Sequence, residues 1–319
     1  MPANWLFWLL FHVFVAVALT LDLGVLHRDS HKIRLREAAL ATAVWIALAG
    51  VFAVLLYFFG HAMAADSRHS NATLSLEFVT GYLVEESMSI DNLFVFLLIF
   101  KFFQVPRELH HHVLFWGVVG ALIARATFIF AGVALINRFH WIIYIFGAFL
   151  IYAGIGLMRS HKSIDPGKNP LLRFAQKHMR VTSDYESGTR FLVHREGVRY
   201  ATQLLLVLIV VESTDIIFAV DSIPAVLAVT RNPFIVYTSN VFAILGLRSL
   251  YFALAGGLQR FHLLHYGLAI ILIFVGGKML ASDWFEMPIA VALGVIAALL
   301  AGAVALSVVF PQPEEAVTD

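Results

Sequence analysis

Cysteine is absent from the 319 residues. Disulfides and thiolate metal ligands are therefore closed to this chain. Charge is scarce as well: 13% of residues are Asp, Glu, Lys or Arg against 60% hydrophobic, with a mean hydropathy of +0.84. A soluble protein of this length has no need of so much apolar residue, so the sequence reads as a polytopic membrane protein in contact with the lipid bilayer. The net charge of +1 selects no strongly charged partner, and no nucleic-acid partner is expected. Catalytic signatures are also missing: there is no HExxH, GxGD, GxSxG or phosphate loop. No enzyme activity and no prosthetic group are expected.

What is present is a series of long apolar runs. Nine are long enough to span: residues 5–26, 38–59, 74–103, 113–136, 141–158, 201–230, 234–258, 263–281 and 288–310. The first has neither a basic start nor a small-residue cleavage motif, so it reads as a retained helix. The expected class is all-α, a polytopic transmembrane bundle of about nine spans. Its units are two N-terminal helices (1–73), a three-helix repeat (74–158), a basic loop (159–200), a second three-helix repeat (201–281), a last helix (282–310) and a short acidic tail (311–319). One set of loops carries sixteen Lys and Arg, nine of them between Arg159 and Arg199, while the other set carries Arg68, Arg138 and Arg231. This positive-inside asymmetry places the N-terminus outside, the C-terminus inside and loop 159–200 in the cytoplasm. That loop holds no catalytic grouping, and its basic character suits the anionic leaflet.

The organising stretch is Val84-Glu85-Glu86-Ser87-Met88-Ser89-Ile90-Asp91-Asn92. Three carboxylates there fall near mid-membrane, where each charge costs about 2.5–3.5 kcal/mol on insertion scales. The oddity recurs at Glu212-Ser213-Thr214-Asp215 and at Asp221-Ser222-Ile223-Pro224. On an ideal helix Glu212 and Asp215 share a face, whereas Glu86 and Asp91, or Asp215 and Asp221, do not. Either the carboxylates serve different contacts or the helices are interrupted. Pro224 favours interruption, because it cannot donate to the Val220 carbonyl and its ring clashes there. Irregular backbone at this depth is tolerated where it lines a polar cavity.

The candidate cation ligands are Glu86, Asp91, Asn92, Glu212, Asp215 and Asp221, supported by Glu85 and Ser222. These are hard oxygen donors, which suit Mg²⁺, Ca²⁺ or Mn²⁺ over Zn²⁺ or Cu²⁺. Asp22, Glu85, Glu86, Asp91, Glu212, Asp215 and Asp221 set against Arg125, Arg248 and Lys278 leave a charge of minus four if all ionise. A divalent cation plus bound protons would neutralise it, and competition between metal and protons is a natural exchange mechanism. In the blander reading Arg125 and Arg248 each hold one carboxylate; the two readings are compatible. Asp22 is a gate ligand or an interfacial charge, and Lys278 snorkels or pairs with an acid. Glu77 reads as interfacial, and His110-His111-His112 as a solvated cytoplasmic turn. Met88 reads as packing, and Phe94, Phe96 and Phe100 as lipid or helix contacts.

Two halves are related. Gly120–Arg125 matches Ala243–Arg248 at an offset of 123, and Tyr144 and Gly154 match Tyr266 and Gly276 at 122. Glu86-Ser87 matches Glu212-Ser213 at 126, and Asp91-Asn92 matches Asp221-Ser222 at 130. A three-helix unit repeated once enters from the opposite side, giving an inverted repeat of the kind that houses midplane ligand sites in transporters.

These residues resemble the TerC family and, within it, the Alx-like manganese exporters. The matching pieces are Leu21-Asp22-Leu23-Gly24-Val25, Gly81-Tyr82-Leu83 running into Ser89-Ile90-Asp91-Asn92, and Tyr144 to Leu150. They continue with Glu212-Ser213-Thr214-Asp215, Phe218-Ala219-Val220-Asp221-Ser222-Ile223-Pro224-Ala225, Phe242 to Arg248 and Gly277-Lys278-Met279. The family often carries a Lys-Met pair in the first repeat too; Gly154-Ile155-Gly156-Leu157 lacks it. The resemblance implies a bacterial inner-membrane protein related to LysE-type transporters. It would export Mn²⁺, with Asp91, Asn92, Glu212, Asp215 and Asp221 at the metal. The family's tellurium-resistance name implies no tellurium chemistry, since a carboxylate-rich site repels oxyanions. Two other functions stay open: a membrane partner for secretion or insertion with a structural metal site, and a passive pH-sensitive cation channel.

Overall fold

The computed structural model describes residues 4–24, 35–65, 68–159, 166–182, 185, 188–195, 197–254, 263–285 and 287–310. A helix stands at each of the nine apolar runs: α1 (Asn4–Gly24), α2 (Leu35–Ala64), α3 (Asn71–Phe102), α4 (Arg107–Arg138), α5 (Ile142–Arg159), α7 (Gln203–Leu227), α8 (Pro233–Leu254), α9 (Leu264–Leu280) and α10 (Ile289–Val309). Between α5 and α7 lie a short helix, α6 (Pro170–His178), and a hairpin of β1 (Leu192–Arg195) and β2 (Val198–Ala201). The loop is thus folded, and the chain is helical apart from this one two-stranded ribbon among the described residues. Gly197 turns the hairpin at φ +76°, a left-handed conformation that glycine adopts without strain.

Six helices (α2, α4, α5, α7, α8 and α10) are long and apolar enough to cross a membrane. Helix α9 is a shorter apolar helix, and the apolar part of α1 that counts beside it is Trp5–Leu21. Helix α3 is 32 residues long and, like α7, carries acids in its interior. Their exposed faces are apolar: Val44, Val51 and Phe58 on α2, and Val291, Val304 and Val308 on α10. Water would not tolerate such a belt; lipid would. Helix α8 is the centre, with 94% of its apolar window buried against 17% for α2 and α10. It packs on α2, α3 and α4, while α3 also meets α7 and α10.

Helices α5 and α9 cross at glycine. A side-chain carbon at Gly154 would stand 2.7 Å from the Ala269 carbonyl and 2.8 Å from Ile273 Cγ1, and one at Gly276 would stand 2.6 Å from the Gly147 carbonyl and 2.9 Å from Ile151 Cγ1. Two backbones approach this closely only where a side chain is missing, the usual device of membrane helix pairs.

Two expectations are corrected here. Helix α7 runs unbroken through Pro224, the proline standing one turn before the helix end. Pro224 withholds its own N–H from the Val220 carbonyl without ending the helix, so the carboxylates are separated by contacts and not by a break. His110, His111 and His112 do not form a solvated turn; they lie in the first two turns of α4. His110 stacks on Phe100 and meets Tyr251 Oη at 3.0 Å, His111 Nε2 meets Arg248 at 2.6 Å, and His112 stacks on Phe191. Each ring serves a different neighbour, so the three do not converge on one ion.

Candidate functional site

Helix α3 presents one polar stripe to the interior. Glu77, Gly81, Glu85, Ser89 and Asn92 recur at four, four, four and three residues, so they share a face. Glu77, Glu85, Ser89 and Asn92 are at most 5% exposed. Glu77 is therefore buried and not interfacial. Of the aromatic residues, Phe96 and Phe100 are buried and pack between helices. On α7 Asp215 and Ser222, seven residues apart, likewise share the inward face.

Arg125 of α4 draws these faces together. Its guanidinium is ion-paired with Glu85. It also donates to Asp215 Oδ1 at 3.3 Å, Asn240 Oδ1 at 3.0 Å and Ser222 Oγ at 3.3 Å. One arginine thus ties α3, α7 and α8 to α4, and it holds two carboxylates where the sequence suggested one. Separating such a buried pair leaves an uncompensated charge, at about 3–5 kcal/mol. Arg248 of α8, 4% exposed, lies against His111; together with Asp215 it also lines a small cavity.

The flanking acids occupy separate niches. Glu86 is half-buried and accepts a hydrogen bond from Tyr82 one turn earlier. Glu212 is half-buried and fills the space left by Gly120, where a side-chain carbon would overlap its carboxylate. Asp215 lies within electrostatic reach of Glu212. Asp221 is half-buried on α7 and is not among the groups that Arg125 contacts. The side chains of Asp22 and Asp91 lie outside the described residues. Lys278 sits at the opposite end of the bundle from Arg248, donating to the Ala228 carbonyl at 3.4 Å.

Several buried polar atoms on α3, α7 and α8 have no hydrogen-bond partner among the described residues: Glu86 Oε2, Ser89 Oγ, Asp215 Oδ2 and the amide nitrogens of Asn92 and Asn240, of which Asp215 and Asn240 also touch Arg125. Orphaned buried groups are costly, and a cluster of them marks a place built for something else to bind. The three oxygens are hard donors, which a divalent cation or protons would suit. Among the described residues, however, no three His, Asp or Glu side chains are gathered as a metal site would gather them.

Ser89, Asn240, Tyr82 and Asn169 were not singled out from sequence. Ser89 was legible, since it completes the stripe from Glu85 to Asn92. Asn240 belongs to a polar triplet, Thr238-Ser239-Asn240, inside an apolar run. Asn169 was not legible: it caps α6 through Leu171 N and Leu172 N, and its Nδ2 donates to Ser213 Oγ at 2.7 Å, between Glu212 and Asp215. The loop is pinned a second time where the Tyr185 hydroxyl, which burial pushes up to about 12, donates to the Phe103 carbonyl at 2.8 Å.

Comparison with known proteins adds the lineage. The family model described as "Integral membrane protein TerC family" matches residues 70–315. An uncharacterized membrane protein of Myxococcus xanthus, STKORF319, is 45% identical over 304 residues, 95% of this chain and 92% of its own length. A protein of Escherichia coli K12, provisionally named membrane-bound redox modulator Alx, is 46% identical over 297 residues, 92% of each chain. An uncharacterized membrane protein of Rickettsia bellii is 38% identical over 294 residues, 92% of this chain and 94% of its own. No solved structure matches.

Proposed function

This chain belongs to the TerC family of integral membrane proteins, and from that premise we propose that it moves a divalent cation, Mn²⁺ foremost, out of the cytoplasm in exchange for protons. The observation that carries the reading is the charge balance around Arg125. Glu85 and Asp215 share one guanidinium, Glu212 lies within reach of Asp215, and Glu86 is one residue from Glu85. Two carboxylates on one fixed cation, with Glu212 and Glu86 as their neighbours on α7 and α3, require protons or a metal ion to be neutral at membrane depth. A site that accepts either one exchanges them. Asp91 and Asp221 join as further ligands in this reading, with Asn92 beside them. Mn²⁺ is the cargo, and no prosthetic group and no catalytic step are invoked.

The architecture assigned to this activity is nine spans with an inverted three-helix repeat, N-terminus out and C-terminus in, in a bacterial inner membrane. Support for the repeat comes from the α5–α9 crossing. An offset of 122 carries Gly147, Ile151 and Gly154 onto Ala269, Ile273 and Gly276. The contacts of Gly154 with Ala269 and Ile273 then become those of Gly276 with Gly147 and Ile151, at distances within 0.1 Å. Such an exchange is what a pseudo-two-fold axis between repeats produces. A thiol route to redox modulation, the activity in the name of the Escherichia coli relative, is closed to these 319 residues by the lack of cysteine.

The test is flux through purified protein in vesicles carrying an internal fluorescent reporter, with Mn²⁺, Mg²⁺, Ca²⁺ and Zn²⁺ compared and a pH gradient imposed in either direction. Mn²⁺ movement uphill when the proton gradient is inverted is the expected result. Movement that only dissipates the metal gradient assigns a passive channel, and no movement removes the transport reading.

A further inference from the structure

Glu77 stands outside the Arg125 cluster, eight residues before Glu85 on the same face of α3, about 12 Å away at 1.5 Å per residue. It is 5% exposed. Thr230 Oγ1, in the turn that follows α7, donates to its Oε2 at 2.6 Å. Lys278 of α9 reaches the same turn through the Ala228 carbonyl and lies within electrostatic reach of Glu77. On the other side His69 Nδ1 is 3.9 Å from Glu77 Oε1, and the His69 side chain is 49% exposed. The arrangement runs from solvent through an imidazole to a buried carboxylate beside a lysine. Among the described residues the other charged or titratable groups toward this end are His61, whose Nε2 meets the His69 carbonyl at 2.6 Å, Tyr57, Arg68, Arg231 and Tyr237, with Arg138, His140, Tyr144 and Asp283 where α4, α5 and α9 begin or end. Helices α8 and α10 bring no Asp, Glu, Lys, Arg or His to it.

Between the two carboxylates α8 packs closely on the stripe. Gly81 separates them, and the space its side chain would fill is taken by Ser239 Oγ, 2.9 Å from an ideal side-chain carbon. Ser239 precedes Asn240, which accepts from Arg125. Ser239, whose Oγ donates to the Val236 carbonyl of its own helix, is the polar group that faces α3 between the Arg125 cluster and the Glu77–Thr230 pair.

We propose that Glu77 is a proton-exchange site at the outer end of the bundle, filled and emptied through His69 and coupled along the α3 stripe to the acidic cluster at Arg125. Its ligand is a proton. A purely structural Glu77 would bind α3 to the α7–α8 turn and nothing more. The site deepens the exchange reading given above and rests on it for its role in transport. Glu77→Gln retains an acceptor for Thr230 but cannot exchange a proton.

The experiment compares wild type and Glu77→Gln in vesicles, reading net Mn²⁺ uptake driven by a pH gradient beside one-for-one exchange of isotopic Mn²⁺ at equal pH. The variant is expected to lose net driven uptake about tenfold or more, the scale of coupling between two sites, while isotope exchange remains measurable. Net uptake at the wild-type rate, or exchange falling by the same factor as uptake in folded protein, overturns the proposal. Infrared difference spectra across the histidine titration range read the site with no metal present. A protonated-carboxyl signal in wild type that the variant lacks is expected; identical spectra overturn it. If wild-type vesicles move no Mn²⁺, the transport reading fails while the infrared result still decides the proton site.

Discussion

Arg125 and Arg248 occupy matching places in the two halves of the chain, 123 residues apart, and both are buried, at 2% and 4% exposure. Their surroundings differ. Arg125 holds two carboxylates and two neutral acceptors on three helices. Arg248 lies against His111, an acceptor only while its Nε2 is unprotonated. The serines paired by the repeat both donate to their own helix, Ser213 to the Val210 carbonyl and Ser87 to the Leu83 carbonyl, but Ser213 also accepts from Asn169 of the loop. Among the described residues the repeated backbone thus carries different chemistry, with Glu85 and Asp215 both paired to Arg125.

The largest test of that inequality is to remove each arginine. Arg125→Leu leaves Glu85 and Asp215 without their cation and should cost about 3–5 kcal/mol, seen as lost folded yield and a lower Tm in detergent. Arg248→Leu removes the contact with His111 and should cost at least about 1–3 kcal/mol, the scale of one hydrogen-bond partner left unsatisfied. Equal losses would erase the distinction.

A second test sits where the halves are alike. Gly154→Ala and Gly276→Ala each push a methyl into a backbone carbonyl and an isoleucine across the α5–α9 crossing. Each should cost about 1–3 kcal/mol by overpacking, and the two values should agree. Gly156→Ala, with nothing within 4 Å of the added carbon, should be neutral or stabilising by about 0.5–1 kcal/mol. Thermal unfolding of the three variants checks this.

The smallest effect concerns the loop. Asn169→Ala removes both the α6 cap and the bond to Ser213, and caps of this kind are worth about 1 kcal/mol. Faster amide hydrogen exchange over residues 170–178 is expected, with little change in global Tm.

Much of this fold was legible because membrane helices announce themselves by length and hydropathy: six of the nine runs carry that signal in full, while α9 is short and the acids of α3 weaken it there. The site was legible in its composition but not in its pairing. Spacing on one helix says which residues share a face: it joins Glu85 to Ser89 and Asn92, and Asp215 to Ser222. It cannot say which helix lies opposite, so the capture of Glu85 and Asp215 by a single arginine was out of reach. Glu77 was misread because its position near a helix end suggested water, while Thr230 and Lys278, more than 150 residues away, bury it. Pro224 was misread because a proline in the last turn of a helix gives up few bonds beyond it.

The central claim is that the carboxylates of α3 and α7 around Arg125 bind and pass the cation. Mn²⁺ flux in vesicles, measured for wild type, Asp215→Asn and the double variant Asp91→Asn, Asp221→Asn, tests it most directly. The account predicts flux through wild type and its loss in both variants, each expressed and folded normally, since Asn keeps the shape and removes a buried charge. Full flux through either variant would contradict it.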